Sequence, residues 1–333
     1  MEDILIIMGP TGSGKSSLGV SVAERLGGEI VSADAFSVYR GMDIGTDKPS
    51  AQVQRGIPHH LLDILDPTQP FSAGEFVDAA DSAIKDILRR NHLPIVVGGT
   101  HFYIRALLFG LFPSPPRIPD VRAGLELDWD QDSPAVYQRL AALDPEAATR
   151  IGPSDRQRIL RALEVREISG EPISTHWHRH QKAPRYNALL TAPHRERSDL
   201  YVKIDSRVDE MFAGGLIEEV EKILDSGIPR NAHSLKAIGY RQIVDMLSGC
   251  LNRDEAIEQT KRSSRKLAKR QLTWLRGDWE GQLHWVSPLE QGGADIVCDL
   301  WSYFLGTAPP EEAENRNGHE ERTTHRQPLG SIR

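Results

Sequence analysis

Residues 9–17 read GPTGSGKSS and follow the apolar run ILIIM directly. Gly9, four intervening residues, Gly14, Lys15 and Ser16 match the spacing G-x-x-x-x-G-K-[ST], with the required strand before it and helix after it. That pattern binds phosphate. Gly9, Gly12 and Gly14, with Pro10, Thr11 and Ser13 between them, let the loop wrap with amides turned inward. Lys15 supplies a full positive charge, the helix N-terminus adds positive potential, and the Ser16 hydroxyl can hold Mg²⁺. The expected ligand is a di- or triphosphate.

The surroundings of the loop decide what the phosphate belongs to. Nucleotide hydrolases usually carry an apolar strand ending in an Asp that helps to hold Mg²⁺. Here LPIVV (residues 93–97) ends in Gly98-Gly99-Thr100. The strand-terminal acid of the first hundred residues is Asp34, at the end of GEIVSAD. One strand after the cradle, it lies beside the phosphates. It has three possible roles: binding Mg²⁺, taking a proton from a second substrate, or capping a following helix. His59-His60 invites a metal reading, but adjacent residues on an extended segment point opposite ways, so a structural role is expected.

The elements that must position these groups alternate. ILIIM, GEIVSAD and LPIVV read as buried strands. A helix from Ser16 carries Leu18, Val22 and Leu26 and ends at Gly27, and another runs from about Phe76 to Arg90. The pattern predicts an α/β fold: a P-loop NTPase-like parallel sheet flanked by helices, with its ligand at the carboxyl ends of the strands. PSPPRIP (113–119) breaks the pattern as a hinge. The expected division is a first core part over 1–118, a mainly helical, arginine-rich insertion over 119–186, a second core part over 187–305 and a disordered tail over 306–333. In the second part NALLTA and LYVKID read as strands. Long helices follow from about Arg207 to Asp225, with a break at Gly214-Gly215, and from Asp254 to Arg276. HWVSP is a last short strand.

Composition sets outer bounds. With 39% hydrophobic and 26% charged residues among 333, the chain suits a globular protein. No apolar run approaches a membrane span, and MEDILIIM lacks the basic start of a signal peptide. Two isolated cysteines, Cys250 and Cys298, suggest neither disulfides nor a zinc site, so a cytoplasmic protein is expected. The formal net charge of -7 argues against a general nucleic-acid coat protein, yet KRSSRKLAKRQLTWLR (261–276) holds seven basic residues and no acid. That stretch is either a solvated helix face or a local patch for a polyanion. Trp274 within it could stack a base, although core or interface packing is the expectation.

Eight blocks in order carry a resemblance: GPTGSGKSS, SADAFSVYRGMDIGTDKP, PHHLLDILDP, VVGGTHFY, DRQRILRALEV, RVDEMFAGGLIEEV, AIGYRQ and KRQLTWLR. Together, over about residues 4–287, they resemble the tRNA dimethylallyltransferases, the IPP transferase family. The resemblance implies transfer of a dimethylallyl group from dimethylallyl diphosphate to N6 of the adenosine 3′ of the anticodon, tRNA position 37, with Mg²⁺ assisting. The cradle Gly9–Ser16 would then hold the donor's diphosphate, with Thr100 and Arg207 as further donors and Ser16 on the metal. Asp34 matches the family's general base. Asp34, Ala35, Phe36 and Ser37 would meet the flipped base and its neighbours. Thr100, Arg122 and the run Gln157, Arg158, Ile159, Leu160, Arg161 would touch the anticodon stem-loop. The basic helix would clamp phosphates. The resemblance also implies an enzyme working as a monomer. Gly12 and Ser16 stand where the family often has Ala and Thr, and DAFS replaces a DSMQ-like sequence, which bears on the base contacts of Ala35 to Ser37. The competing readings are a small-molecule kinase binding ATP at the same loop and a non-catalytic RNA-binding protein.

Overall fold

ILIIM is apolar at every position because the strand it forms is covered on both faces. In the computed structural model, which describes residues 1–180, 183–279 and 281–307, this strand is β1 (Asp3–Met8), followed by α1 (Lys15–Leu26), β2 (Gly28–Ser32), the one-turn α2 (Ala51–Gln54), the short β3 (His59–His60), α3 (Ala73–Arg89), β4 (Leu93–Gly98) and α4 (His101–Phe109). Five helices come next: α5 (Pro119–Gln131), α6 (Ser133–Leu143), α7 (Pro145–Arg150), α8 (Arg156–Ser169) and α9 (Ile173–Arg179). The chain returns through β5 (Asn187–Pro193), α10 (Arg197–Ala213), α11 (Leu216–Asp225), α12 (Tyr240–Leu247), α13 (Arg253–Gly277), β6 (Leu283–Val286) and α14 (Gly293–Phe304).

Among the described residues the strands form one six-stranded sheet in the order β3-β2-β4-β1-β5-β6, parallel at every pairing. Alternation along β1 divides the core. Ile4, Ile6 and Met8 pack with Phe76, Ile84, Leu107 and Trp279 on one face. Leu5 and Ile7 pack with Leu18, Val22, Val297 and Trp301 on the other. A sheet buried on both faces in this way is the parallel α/β arrangement expected from the sequence. No helix of the described residues is long and apolar enough to cross a membrane.

Several local expectations hold, and two change. α1 ends at Gly27 in the left-handed conformation, its amide donating to the Ala23 carbonyl. α3 starts with a capping box between Ser72 and Glu75. The break at Gly214-Gly215 separates α10 from α11, Gly215 having φ 100°. LYVKID, by contrast, is not a strand. It lies inside α10, where Leu200, Ile204, Val208 and Met211 form a buried helical stripe and Val202 is exposed. The apparent alternation of six residues was part of a longer period. The sequence reading also left 293–304 without an element. It is α14, whose Val297 and Trp301 cover the α1 side of the sheet.

The helical unit comprises Gly110–Ala183, so it begins earlier than the 119–186 read from the sequence. The proline segment belongs to it: Arg161 donates to the Ser114 hydroxyl at 2.9 Å and the Pro115 carbonyl at 2.7 Å. The unit has its own core, with Leu140, Ile159, Leu160 and Leu163 at its centre. The tail expected from residue 306 lies, after Thr307, outside the described residues.

The sheet's carboxyl edge is closed by a close approach of two strands. The Ala33 amide donates to the Val97 carbonyl at 2.8 Å and the Thr100 amide to the Ala33 carbonyl at 3.2 Å. A Cβ on Gly98 would stand 2.2 Å from the Ala33 carbonyl oxygen. Because that neighbour is backbone, it cannot swing aside. Gly98→Ala is expected to lower unfolding free energy by about 2–3 kcal/mol in urea titrations, and to displace Asp34 enough to abolish turnover in whatever protein still folds.

Candidate active site

The phosphate loop leaves β1 through a reverse turn. The Ser13 amide donates to the Pro10 carbonyl at 3.2 Å, and Gly12 at the third position has φ 79°, which a side chain would strain. Gly14, with φ 86°, starts α1. Arg195 braces the loop from outside, its Nε donating to the Ser13 carbonyl at 3.1 Å, while Glu290 holds its other end.

A cavity of about 360 Å³ opens above this loop, with Thr11, Lys15, Ser16, Asp34 and Arg207 in its wall. Burial lowers the Lys15 pKa below its ordinary value, Asp34 opposes the shift, and Arg207 adds to it. The ammonium, the guanidinium and the carboxylate are therefore mutually within electrostatic reach. Arg207 donates to the Thr11 hydroxyl and pairs with Asp47 at 2.5 Å. Its Nε is buried without a partner, as expected of a guanidinium held for an anion that the protein itself does not supply. Asp34 Oδ1 accepts the amides of Phe36 at 2.9 Å and Ser37 at 3.1 Å. The cap it forms is thus that of a turn rather than a helix. No hydrogen bond to Oδ2 is present among the described residues.

The far wall is a loop held by one acid. Glu219 accepts the amides of Asp43 at 3.1 Å and Ile44 at 2.9 Å and the hydroxyl of Tyr240 at 2.5 Å. This fixes Asp47 and Lys48 in the cavity wall. Lys48 is itself buried against Asp43 and Asp63.

A second cavity, about 660 Å³, shares Lys236, Ile238 and Arg270 with the first. Lys236, Arg241, Lys266, Lys269 and Arg270 all line it, and none is ion-paired among the described residues. α13 explains how it can present them. Its rear face is neutralised by α10, through Lys261–Asp209 and Arg265–Asp205, and its front face carries the open cations.

Not every residue read from the sequence lies in these walls. Thr100 accepts the Ala35 amide at 3.1 Å through Oγ1; neither residue lines either cavity, whereas Phe36 and Ser37 line the first. His59 and His60 do point apart: His59 Nδ1 meets the Ile57 carbonyl at 2.8 Å and His60 Nε2 meets Glu29 at 2.7 Å. Trp274 rests beside His101 with ring centroids 5.1 Å apart, but it is 45% exposed and lines the second cavity, so core packing is not its role. Within the helical unit Gln157 and Arg158 are exposed. Ile159 and Leu160 are fully buried, so an RNA contact by their side chains is ruled out. Arg161 is bound to the buried Glu164 at 2.8 Å as well as to the proline segment. Arg122 pairs with Glu126 at 2.8 Å, leaving Nη1 buried without a partner. Asp47, Lys48, Arg195, Lys236, Arg241 and Gln271 were not singled out from the sequence, although all but Arg195 and Lys236 fall in the quoted blocks.

The Ser16 hydroxyl lines the first cavity and makes no hydrogen bond among the described residues, and Asp34 Oδ2 is similarly uncommitted. The Ser16 hydroxyl is a hard oxygen donor beside a phosphate loop and fits Mg²⁺, which takes its remaining ligands from phosphate oxygens and water.

A phosphate loop on an all-parallel sheet, with a carboxylate facing its lysine and a basic cavity alongside, defines a P-loop-type α/β enzyme that acts on a phosphorylated substrate. Residues 37–278 match the model of the family described as IPP transferase, and residues 2–64 that of isopentenyl transferase. This chain belongs to the IPP transferase family. It is 46% identical over 279 residues to tRNA dimethylallyltransferase 1 of Pelobacter propionicus, covering 83% of this chain and 90% of that protein. It is 46% identical over 305 residues to the tRNA dimethylallyltransferase of Geobacter sulfurreducens, covering 91% and 97%. The solved full-length tRNA isopentenylpyrophosphate transferase of Bacillus halodurans superposes with a TM-score of 0.69 at 36% identity, over 92% of this chain and 98% of that one. A eukaryotic dimethylallyltransferase acting on tRNA superposes with a TM-score of 0.80 at 26% identity, over 94% and 82%.

The direction of the Lys15 shift has a consequence. A lysine whose pKa is lowered loses its proton, and with it its attraction for an anion, at lower pH than an exposed lysine does. At pH values where the charge of inorganic diphosphate no longer changes, affinity for it is expected to fall as Lys15 loses its proton, at lower pH than an exposed lysine would. Calorimetry over that range checks it, with Lys15→Arg expected to give a flat profile.

Proposed function

We propose that this chain is a tRNA dimethylallyltransferase. It moves the dimethylallyl group of dimethylallyl diphosphate onto N6 of the adenosine 3′ of the anticodon and releases diphosphate. The observation that carries the reading is the wall of the first cavity, where Lys15, Arg207 and Asp34 face one space that shares lining with a cavity of unpaired cations. The first suits a small diphosphate beside an acceptor of protons; the second suits a polyanion.

In this reaction the allylic C–O bond breaks and its electron pair leaves with the diphosphate. Lys15 and Arg207 hold the charge that develops there, and the burial around Lys15 strengthens that contact. Thr100 stands outside the cavity wall; its hydroxyl oxygen accepts the Ala35 amide and so steadies the chain just after Asp34. Ser16 would hold Mg²⁺, which would add to the neutralisation of the leaving group. The adenine nitrogen is a weak nucleophile because its lone pair is delocalised into the ring; as it forms the new N–C bond it takes on positive charge and must give up a proton. Asp34 receives it: Oδ1 is fixed by the Phe36 and Ser37 amides, which leaves Oδ2 to accept. The base reaches this point by leaving its stack, with Phe36 and Ser37 in the receiving wall.

Two measurements test this. Asn at position 34 can still accept both amides, so Asp34→Asn should fold and bind tRNA normally while single-turnover transfer falls about 10²–10⁴-fold; an unchanged rate would remove Asp34 from the chemistry. Lys266 and Lys269 face the second cavity without partners, so the double change to Ala should flatten the slope of log affinity for tRNA against log salt by about 1–2, measured by filter binding. An unaltered slope would assign both lysines to solvent.

A further inference from the structure

The loop amide of Thr11 does not face the cavity as a phosphate donor. It donates to Gln271 Oε1 at 2.9 Å, across 260 residues of sequence. The other half of the same amide group, Nε2, donates to the Gly99 carbonyl at 2.8 Å. One partner is a donor and the other an acceptor, so the side chain at 271 must present one of each. Of the side chains of this length, glutamine does so. Gln271 therefore bridges the loop after β1 and the end of β4 from a position on α13.

A second feature points to the same contact. Gly99 is not held in the left-handed region, so its backbone does not require glycine. Space does: a Cβ there would stand 2.7 Å from Gln271 Nε2 and 3.2 Å from the Gly9 carbonyl. Gly99 makes room for the bridge.

We propose that Gln271 is a positioning residue for the diphosphate site. It acts through Thr11. With the Thr11 amide fixed by Gln271, the Thr11 hydroxyl is held where it accepts from Arg207, and Arg207 is thereby aimed into the cavity rather than left to Asp47 alone. Gln271 also fixes the loop to the helix whose neighbouring residues Lys269 and Arg270 line the basic cavity, so the frame of the donor site is set by the element that presents charge to the polyanion. The proposal rests on the transferase reading for its substrate, and on geometry alone for the anion site.

Gln271→Met keeps the length and removes both hydrogen bonds. Inorganic diphosphate is the probe, titrated calorimetrically into the full chain, alongside steady-state transfer with dimethylallyl diphosphate and filter binding of tRNA. The expected result is diphosphate affinity and donor KM each worsened about 10- to 100-fold, kcat changed by less than about threefold, and tRNA affinity within about twofold. Gly99→Ala, which presses on the bridge from the other side, should reproduce the diphosphate defect. With Gln271→Ala also measured alone, the Gly99→Ala/Gln271→Ala pair should lose little more than Gln271→Ala does, since the two act through one contact. Unchanged diphosphate affinity in both Gln271→Met and Gly99→Ala, or fully additive losses, would overturn the proposal while leaving the transferase reading intact. Failure of the unaltered chain to bind diphosphate would overturn both. If Gln271→Met fails to fold, Gly99→Ala and the combined variant decide the matter by the same criteria.

Discussion

The chemistry of this chain depends on how closely the carboxyl ends of β1, β2 and β4 approach one another. Asp34 can face Lys15 because β2 and β4 meet over Gly98, where no side chain fits between Val97 and Ala33. The phosphate loop can wrap because β1, central between β4 and β5, is held on both faces by separate apolar clusters. A rigid edge matters here because charge is being concentrated. Lys15 and Arg207 repel each other, and burial disfavours the charge on Lys15. Without a stiff frame they would relax apart or find water. The acids that steady them, Asp34 and Asp47, stand in the same wall, yet each is partly occupied: Asp34 by two amides, Asp47 by Arg207. The cations therefore keep unspent capacity for an incoming anion.

α13 shows how one helix can be both anchor and binding surface. Along 25 residues its basic side chains fall on two faces. Lys261 and Arg265 are tied to Asp209 and Asp205 of α10, and the small buried Ala256, Ser264 and Ala268 let the helices approach. Lys266, Lys269 and Arg270 are turned to the second cavity instead. A run that reads as uniformly basic thus holds two neutralised residues, three that line the second cavity, and Arg262 and Arg276, which are exposed.

How much of this could be read in advance depends on how far apart the partners lie. β1, the loop and α1 were legible because their signals are contiguous: an apolar run, a fixed glycine–lysine spacing and a terminal glycine. The place of Asp34 in the wall beside Lys15 was legible from its position just after β2. LYVKID was misread because six residues hold too little of a helical period, and the stripe from Leu200 to Met211 becomes visible only over a longer window. Ile159 and Leu160 were grouped with their exposed neighbours for the opposite reason: a contiguous block ignores that a helix buries some of every turn. Gln271, Arg195 and the Glu219 clamp on the 43–47 loop were not legible at all. Each joins groups more than 170 residues apart, and nothing local marks a glutamine as the partner of a distant backbone amide.

The net charge of -7 and the cationic second cavity are parts of the same solution. Five cations around one cavity, without ion-pair partners among the described residues, repel one another in the free protein, which disfavours the folded state slightly and is relieved when an anion enters. An acidic remainder limits non-specific attraction for nucleic acid elsewhere on the surface, while leaving the local field at the cavity strong over distances of about 8–10 Å at physiological salt. A protein so built discriminates by where charge is placed, not by how much it carries. The few cations that α12, α13 and Lys236 present together stand next to the space where Lys15 and Asp34 face each other.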